Sequence, residues 1–231
     1  MEVTYIYHSS FLVECEKRYL LFDYFKGQIP ELDAQKPLIV FASHRHGDHF
    51  SEDIFDLAKE HEETWFVLSS DIWKKRVPES LLNRTLFLGS GRKEEFCGLQ
   101  IETLKSTDEG VAWLIDAEEY VIYHAGDLND WTWIGESDRF NQTMRRAYRR
   151  QIEKLADKKI DIAFVVLDPR QEKEFAAGMT WFLQHVQAAH IFPMHCWEDY
   201  SVIEKYKRLE EAKPYVNRIC DITAPGERFS A

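Results

Sequence analysis

The string HRHGDH at 44–49 places three imidazoles and a carboxylate within six residues, directly after the apolar run LIVFAS at 38–43. An unbroken apolar run of that length suits a strand buried on both faces, which puts the polar string at a strand's carboxyl end. With 9 His and 16 Asp in 231 residues, an H-x-H-x-D-H pattern arises by chance on the order of once in a thousand such chains. Neutral imidazole nitrogens and a carboxylate suit zinc, manganese or iron at about 2 Å, and a tight turn fans alternate residues toward two neighbouring ions. The string points to a metal pair.

The flanking sequence supplies the frame. VTYIYH, FLVECE and RYLLFDY are short β-branched and aromatic runs with turn-length gaps, which predict a strand meander. After the His-rich string, SEDIFDLAKEHEE opens on a Ser and an acidic first turn and is predicted to be a helix with Ile54, Leu57 and Ala58 on one face, followed by the strand WFVLSS. The second half repeats the scheme: strands LQIETLKS, VAWLID and YVIYHAG lead into a second polar turn, GDLND. A long helix is predicted from Ser137 to Lys158, with Phe140, Met144, Tyr148, Ile152 and Leu155 as its core stripe and Arg145, Arg146, Arg149 and Arg150 on a solvated face. Then follow a buried strand DIAFVVLD, a helix EKEFAAGMTWFLQHVQAA with Phe175, Met179, Phe182 and Val186 inward, and a strand HIFPMH ending at His195. A last helix WEDYSVIEKYKRLEEA and a short strand YVNRICDI close the chain. Strands and helices in both halves imply an α/β fold of two sheets between helix layers, with pseudo-twofold halves and a single domain over 1–231.

Composition narrows the partners. A formal charge of −11 repels phosphate polymers and anionic lipid, so no nucleic acid is expected. Neither the N-terminus nor any other stretch has the uninterrupted apolar run of a signal peptide or a membrane span, and a cytoplasmic protein is expected. Cys15, Cys97, Cys196 and Cys220 stand far apart with no C-x-x-C pair and are expected to be reduced and mostly buried. An oligomer is compatible with everything in the sequence.

HRHGDH after a strand, the G-D step in YHAGD and the strand-ending His of IFPMH together resemble the metallo-β-lactamase superfamily, in order and approximate spacing over nearly the whole chain. HSSFLVE, IYHAGD and FPMH are similar to the branch that holds sugar-phosphate lactonases and phospholipase-like enzymes. The resemblance implies the four-layer αβ/βα sandwich with divalent metal at the rim between the sheets. It implies one ion on His44, His46 and a bridging Asp127, and another on Asp48, His49, Asp127 and His195. The family's mid-chain His has no counterpart, because no histidine lies between His61 and His124. Asp108, or Ser106 through a water, or nothing, fills that place, and His124 is a further possible replacement, although a role in orienting a ligand or in packing is favoured for it. One or two ions are therefore expected, zinc foremost, with oxygen ligands tilting a weaker site toward manganese or iron. His8 and Asp23 are expected to support the site, with Asp23 orienting a ligand histidine, while His61, His185 and His190 are structural.

The chemistry so implied is hydrolysis by a metal-bound hydroxide, with Asp48 and Asp127 as the catalytic carboxylates and no serine nucleophile. Asn129, Trp131 and Trp133, after Asp127, and Arg170, after Asp168, frame the expected pocket. Arg170 either grips a phosphate or carboxylate or merely pairs with Asp168, and the tryptophans either wall the substrate or pack as core. The expected substrate is a small anionic ester, lactone or phosphodiester. The alternatives are a member that binds metal or ligand without turnover, and a di-iron redox centre.

Overall fold

The computed structural model describes residues 1–118 and 120–231. The first sheet holds β1 (Glu2–Tyr7), β2 (Ser10–Glu14), β3 (Tyr19–Phe22), β4 (Leu38–Ala42), β5 (Thr64–Ser69), β6 (Thr85–Leu88) and, at its edge beside β1, β13 (Arg228–Ser230). The second holds β7 (Lys93–Phe96), β8 (Leu99–Lys105), β9 (Val111–Ala117), β10 (Tyr120–His124), β11 (Lys159–Val166) and β12 (Gln187–Met194). Each sheet begins as an antiparallel meander and continues with parallel strands, β4 to β6 in one and β11 to β12 in the other. The helices are α1 (Leu57–Glu60), α2 (Asp138–Ile152), α3 (Ala177–His185) and α4 (Ser201–Lys207). This mixed architecture agrees with the αβ/βα sandwich.

Strand β4 shows why an unbroken apolar run is needed. All five residues are buried, and alternate side chains serve different layers. Ile39 and Phe41 join the core between the sheets, whereas Leu38, Val40 and Ala42 join a second cluster with Phe50, Ile54, Phe55 and Ile72 under the outer layer. A polar residue at any of these positions would be stranded on one side or the other. On the far side of the molecule, Tyr123 of β10 stacks on Phe182 of α3, ring centroids 5.3 Å apart.

Several helices are shorter than their sequence pattern. Residues 52–56 form a 3-10 turn capped by the Ser51 side chain, and α1 adds one turn in which Leu57 and Ala58 are only partly buried. The segment from Glu172 starts as 3-10 turns, and Gln187–Ala189 belong to β12 instead of α3. α4 spans only part of the expected last helix, and YVNRICDI is 3-10 backbone to Arg218 with an isolated bridge from Ile219 to Ile191. The true closing strand, β13, is only three residues long, too short to carry an alternation signal. Helix α2 starts as expected, with Ser137 accepting from the Phe140 amide, but its stripe divides. Tyr148, Ile152 and Leu155 are core, whereas Phe140 is 41% exposed and Met144 half-buried. Its arginine face is not simply solvated either: Arg145 reaches Asp130 at 3.2 Å and Glu174 at 3.6 Å, and Arg149 lies 3.8 Å over Trp181. No helix among the described residues is long and apolar enough to cross a membrane.

Candidate metal centre

Because β1, β3 and β4 point the same way in one sheet and β10, β11 and β12 do so in the other, their carboxyl ends gather polar residues at one rim. β1 delivers His8, β3 Asp23, β4 the string from Ser43 to His49, β10 Asp127, β11 Asp168 and β12 His195, while the β8–β9 turn adds Asp108. Three hydrogen bonds tie the rim across the two sheets: the His195 amide donates to the His8 carbonyl (3.2 Å), the Val111 amide to the Ser43 carbonyl (3.0 Å), and the His124 ring to the Ser9 carbonyl (2.9 Å). His8, Asp23 and His195 all have left-handed backbone, φ 54°, 43° and 65°, an unfavourable state for these residues that turns each side chain sharply off its strand end.

The donors fall into two groups whose ligand-type atoms lie within 4.8 Å of one another: His8, Asp48, His49 and His195, and beside them His44, His46, Asp108 and Asp127. In the first, Asp48 Oδ2 stands 3.6 Å from His8 Nε2 and 3.9 Å from both His49 Nε2 and His195 Nε2. In the second, His44 Nε2 is 3.0 Å from His46 Nδ1, and Asp108 Oδ2 is 3.6 Å from that same nitrogen. Asp127 faces both. Its Oδ1 lies 3.1 Å from His49 Nε2 and 3.4 Å from His195 Nε2, and its Oδ2 lies 3.5 Å from His44 Nε2.

Whether these residues suit metal can be tested on spacing and satisfaction. Donors on one tetrahedral ion at about 2.1 Å stand roughly 3.4 Å apart, close to the separations above. More telling, His8 Nε2, His49 Nε2, His195 Nε2 and Asp127 Oδ1 are buried without a hydrogen-bond partner, even though some are near each other in distance. An orphaned buried donor or acceptor costs about 1–3 kcal/mol, and four aimed into one space call for a shared partner. A divalent cation fits them all.

The opposite ring nitrogens are fixed by carboxylates and a hydroxyl. His49 Nδ1 meets Asp23 Oδ2 at 2.7 Å, His195 Nδ1 meets Asp168 Oδ2 at 2.9 Å, and His44 Nδ1 meets Ser43 Oγ at 3.0 Å. Asp23 also accepts from the Ser43 amide and hydroxyl, so one buried carboxylate orients two neighbours. Such contacts set the tautomer and aim the free nitrogen. Electrostatics divide the rings: burial lowers His49, but Asp127 and Asp23 outweigh it and hold His49 well above its usual value. Burial lowers His8 and His44 to about 4, leaving both rings neutral at pH 7 and open to a cation. Burial alone would raise Asp127 and Asp48, but the surrounding histidines outweigh it and hold both carboxyls below their usual range. Asp108 is raised, by burial and by repulsion from Asp127, as expected where carboxylates crowd without a counter-charge.

Several expected roles change. Both ring nitrogens of His124 are engaged, by the Ser9 carbonyl and the Gly126 amide (3.1 Å), and its ring stacks on Phe22, so it ties the sheets and does not face the donor groups. Asp108 lies 3.6 Å from His46 Nδ1 and groups with His44, His46 and Asp127. His8, expected only to support the site, converges with Asp48, His49 and His195. Asn129 does not face the pocket: it is buried, and its amide donates to Gln171 Oε1 at 2.8 Å. Arg170 grips Asp168 through Nε, 3.0 and 2.9 Å from its two oxygens, and through Nη2, so most of its fork is spent on holding the carboxylate that orients His195. Trp131 is buried, donates to the Asp127 carbonyl at 2.9 Å, and packs edge-on against His195. Sequence reasoning missed the orienting role of Asp168. Its signal was an Asp ending a buried strand just before Pro169, the same pattern that drew attention to Asp23.

Residues 2–132 match the family described as a beta-lactamase superfamily domain, and the chain belongs to it. No curated protein sequence matches. Solved structures match over the full length at low identity. Igni18, a metallo hydrolase from Ignicoccus hospitalis, shares 14% identity and a TM-score of 0.64 over 100% of this chain and 98% of its own. A possible metal-dependent hydrolase from Veillonella parvula gives 11% and 0.62 over 100% and 99%. YhfI from Bacillus subtilis, a metallo-beta-lactamase fold protein, gives 16% and 0.61 over 99% of each chain. These likenesses establish the fold.

Proposed function

We propose that the chain is a metal-dependent hydrolase of a small ester, lactone or phosphodiester, with His8, Asp48, His49 and His195 holding one divalent ion, His44, His46 and Asp108 a second, and Asp127 shared by both. The observation that carries this reading is the set of four buried, partnerless atoms converging on one space. Zinc suits the histidine-rich group, and the group with two carboxylates leans toward manganese or iron. A bound divalent cation supplies Lewis acidity and lowers the pKa of water toward neutrality.

The chain's own residues do the rest. Asp127 presents one oxygen to each group and fixes their separation. Asp48, partly exposed and held ionised, accepts a hydrogen bond from the attacking water at Oδ2 and orients it. Trp131 and Trp133, parallel to within 7° at 5.8 Å, keep bulk water from one side of the reacting centre. Arg170, whose Nη1 is not used on Asp168, turns that edge toward an anionic oxygen, with its charge largely offset by the carboxylate it holds. Hydrolysis by this route needs no serine nucleophile. Free cysteines suit a reducing compartment, in keeping with a cytoplasmic enzyme.

The test pairs metal analysis with a panel of chromogenic esters, lactones and phosphodiesters, assayed for native protein and Asp127→Ala. Turnover lost together with metal supports the reading, and turnover unchanged in the variant removes it. Bound iron with visible absorbance and no hydrolysis would instead indicate a redox centre.

A further inference from the structure

Helix α2 carries more apolar surface than the core uses. Tyr148 and Ile152 are fully packed, while Phe140 and Met144, two turns and one turn earlier on the same stripe, are exposed and half-buried. Phe140 and Met144 join Trp131 and Trp133 in lining a cavity of about 220 Å³ whose remaining walls are Thr107, Asp108, Asp127 and Arg170. The cavity therefore opens directly onto the carboxylate shared by the two donor groups. Its polar groups already have work: Thr107 bonds the Asn129 carbonyl at 2.6 Å, Asp108 and Asp127 belong to the donor groups, and Arg170 is forked onto Asp168 and lies 6.0 Å from the Trp133 ring. Apart from the Nη1 edge of Arg170, what remains for a ligand on that side is aromatic and thioether surface.

We propose that this cavity seats an uncharged, ring-sized apolar group of the substrate, with the scissile bond over Asp127, so that the substrates are esters of aromatic or branched aliphatic groups. This rests on the hydrolase reading above. Volume supports the size: an apolar cavity of about 150 Å³ accommodates benzene, so 220 Å³ takes one ring and the atoms that link it to the reacting centre. Charge supports the polarity, because a second anionic group beside Asp108 and Asp127 would meet only the screened Arg170. Indole faces and a phenyl ring also favour a ring-shaped occupant over a linear polar one.

The test uses two non-hydrolysable probes of equal charge and unequal apolar size, phenylphosphonate and methylphosphonate, titrated by calorimetry into the metal-loaded protein. The expected result is phenylphosphonate tighter by roughly tenfold or more, from burial of the ring and its contacts with the indoles. Phe140→Ala, an exposed position that the fold does not need, and Trp133→Ala should each shrink that preference severalfold with metal content unchanged. Equal affinity for the two probes, or a preference that survives both variants, overturns the apolar seat while leaving the metal centre standing. Failure of both probes to bind a chain that also holds no metal overturns the hydrolase reading and the seat with it.

Discussion

Replacing Asp168 with asparagine tests how far the centre depends on residues behind the donors. Asp168 is fully buried and accepts from His195 Nδ1 at 2.9 Å, from Arg170 Nε at 3.0 and 2.9 Å, and from the Arg170 amide at 2.8 Å. Every neighbour is a donor, so an amide of the same shape must turn its NH2 toward either the imidazole or the guanidinium. One charge-assisted hydrogen bond is then replaced by donor facing donor, a loss of about 1.5–3 kcal/mol. In metal affinity, loss of such an orienting carboxylate amounts to roughly 10–100-fold. The structure adds a selective expectation: His195 belongs to the group with His8, Asp48 and His49, so that ion weakens and the ion at His44, His46 and Asp108 does not. Competition titration with a chromophoric chelator, using zinc and then manganese, resolves the two affinities. Equal affinities in native and Asp168→Asn protein, or equal loss at both sites, would refute the reasoning.

At Gly126, φ is +51° and a Cβ would sit 2.7 Å from Ser43 Cβ and 2.9 Å from the Val111 carbonyl, so Gly126→Ala should cost about 2–4 kcal/mol and lower the melting temperature by roughly 5–15 °C; an unchanged melting curve would count against the close approach of the two strand ends. Asp108→Ala should weaken one ion only, and His124→Gln should lower thermal stability with both metal affinities kept, as separate chelator titrations and melts would show. Burial raises Cys15 and Cys220 to about 12 and Cys97 to about 11. Because the folded chain keeps these protons where the unfolded chain releases them, stability should be level below about pH 9 and fall as pH rises from there toward 11–12, read by urea unfolding across pH. At pH 8 the native chain should react slowly with a disulfide reagent and all four thiols rapidly in denaturant.

The rim was legible where chemistry is local in sequence. HRHGDH is contiguous, Asp127 and His195 end strands whose apolar runs are plain, and much of the order of strands and helices follows from periodicity, whereas β6, β7 and β13 had no counterpart in the sequence reading. What escaped depends on contacts between distant segments. The pattern at Phe140 and Met144 is the same as at Tyr148 and Ile152, and only packing against distant segments decides which half of the helix is covered. Asn129 and Trp131 follow Asp127 in one turn, but whether each faces the cavity or the interior is set by Gln171 and by the Asp127 carbonyl. His8 looked like a strand-end residue near the site because nothing local shows that left-handed backbone turns its ring toward His195, centroids 4.1 Å apart. The replacement for the mid-chain histidine was open in the sequence for the same reason: Asp108, Ser106 through a water, or nothing could fill that place, and His124, the less favoured choice, is set aside because the fold commits both its nitrogens to backbone.

If the proposed centre is right, side chains from both sheets share divalent cations through Asp127. Metal-to-protein stoichiometry after loading and gel filtration tests it most directly, measured by mass spectrometry on native protein and Asp127→Ala. Native protein should carry two equivalents, or one when the oxygen-rich group has emptied during filtration, and the variant should lose tight binding. A native chain that retains no divalent metal, or a variant that retains as much as the native chain, would contradict it.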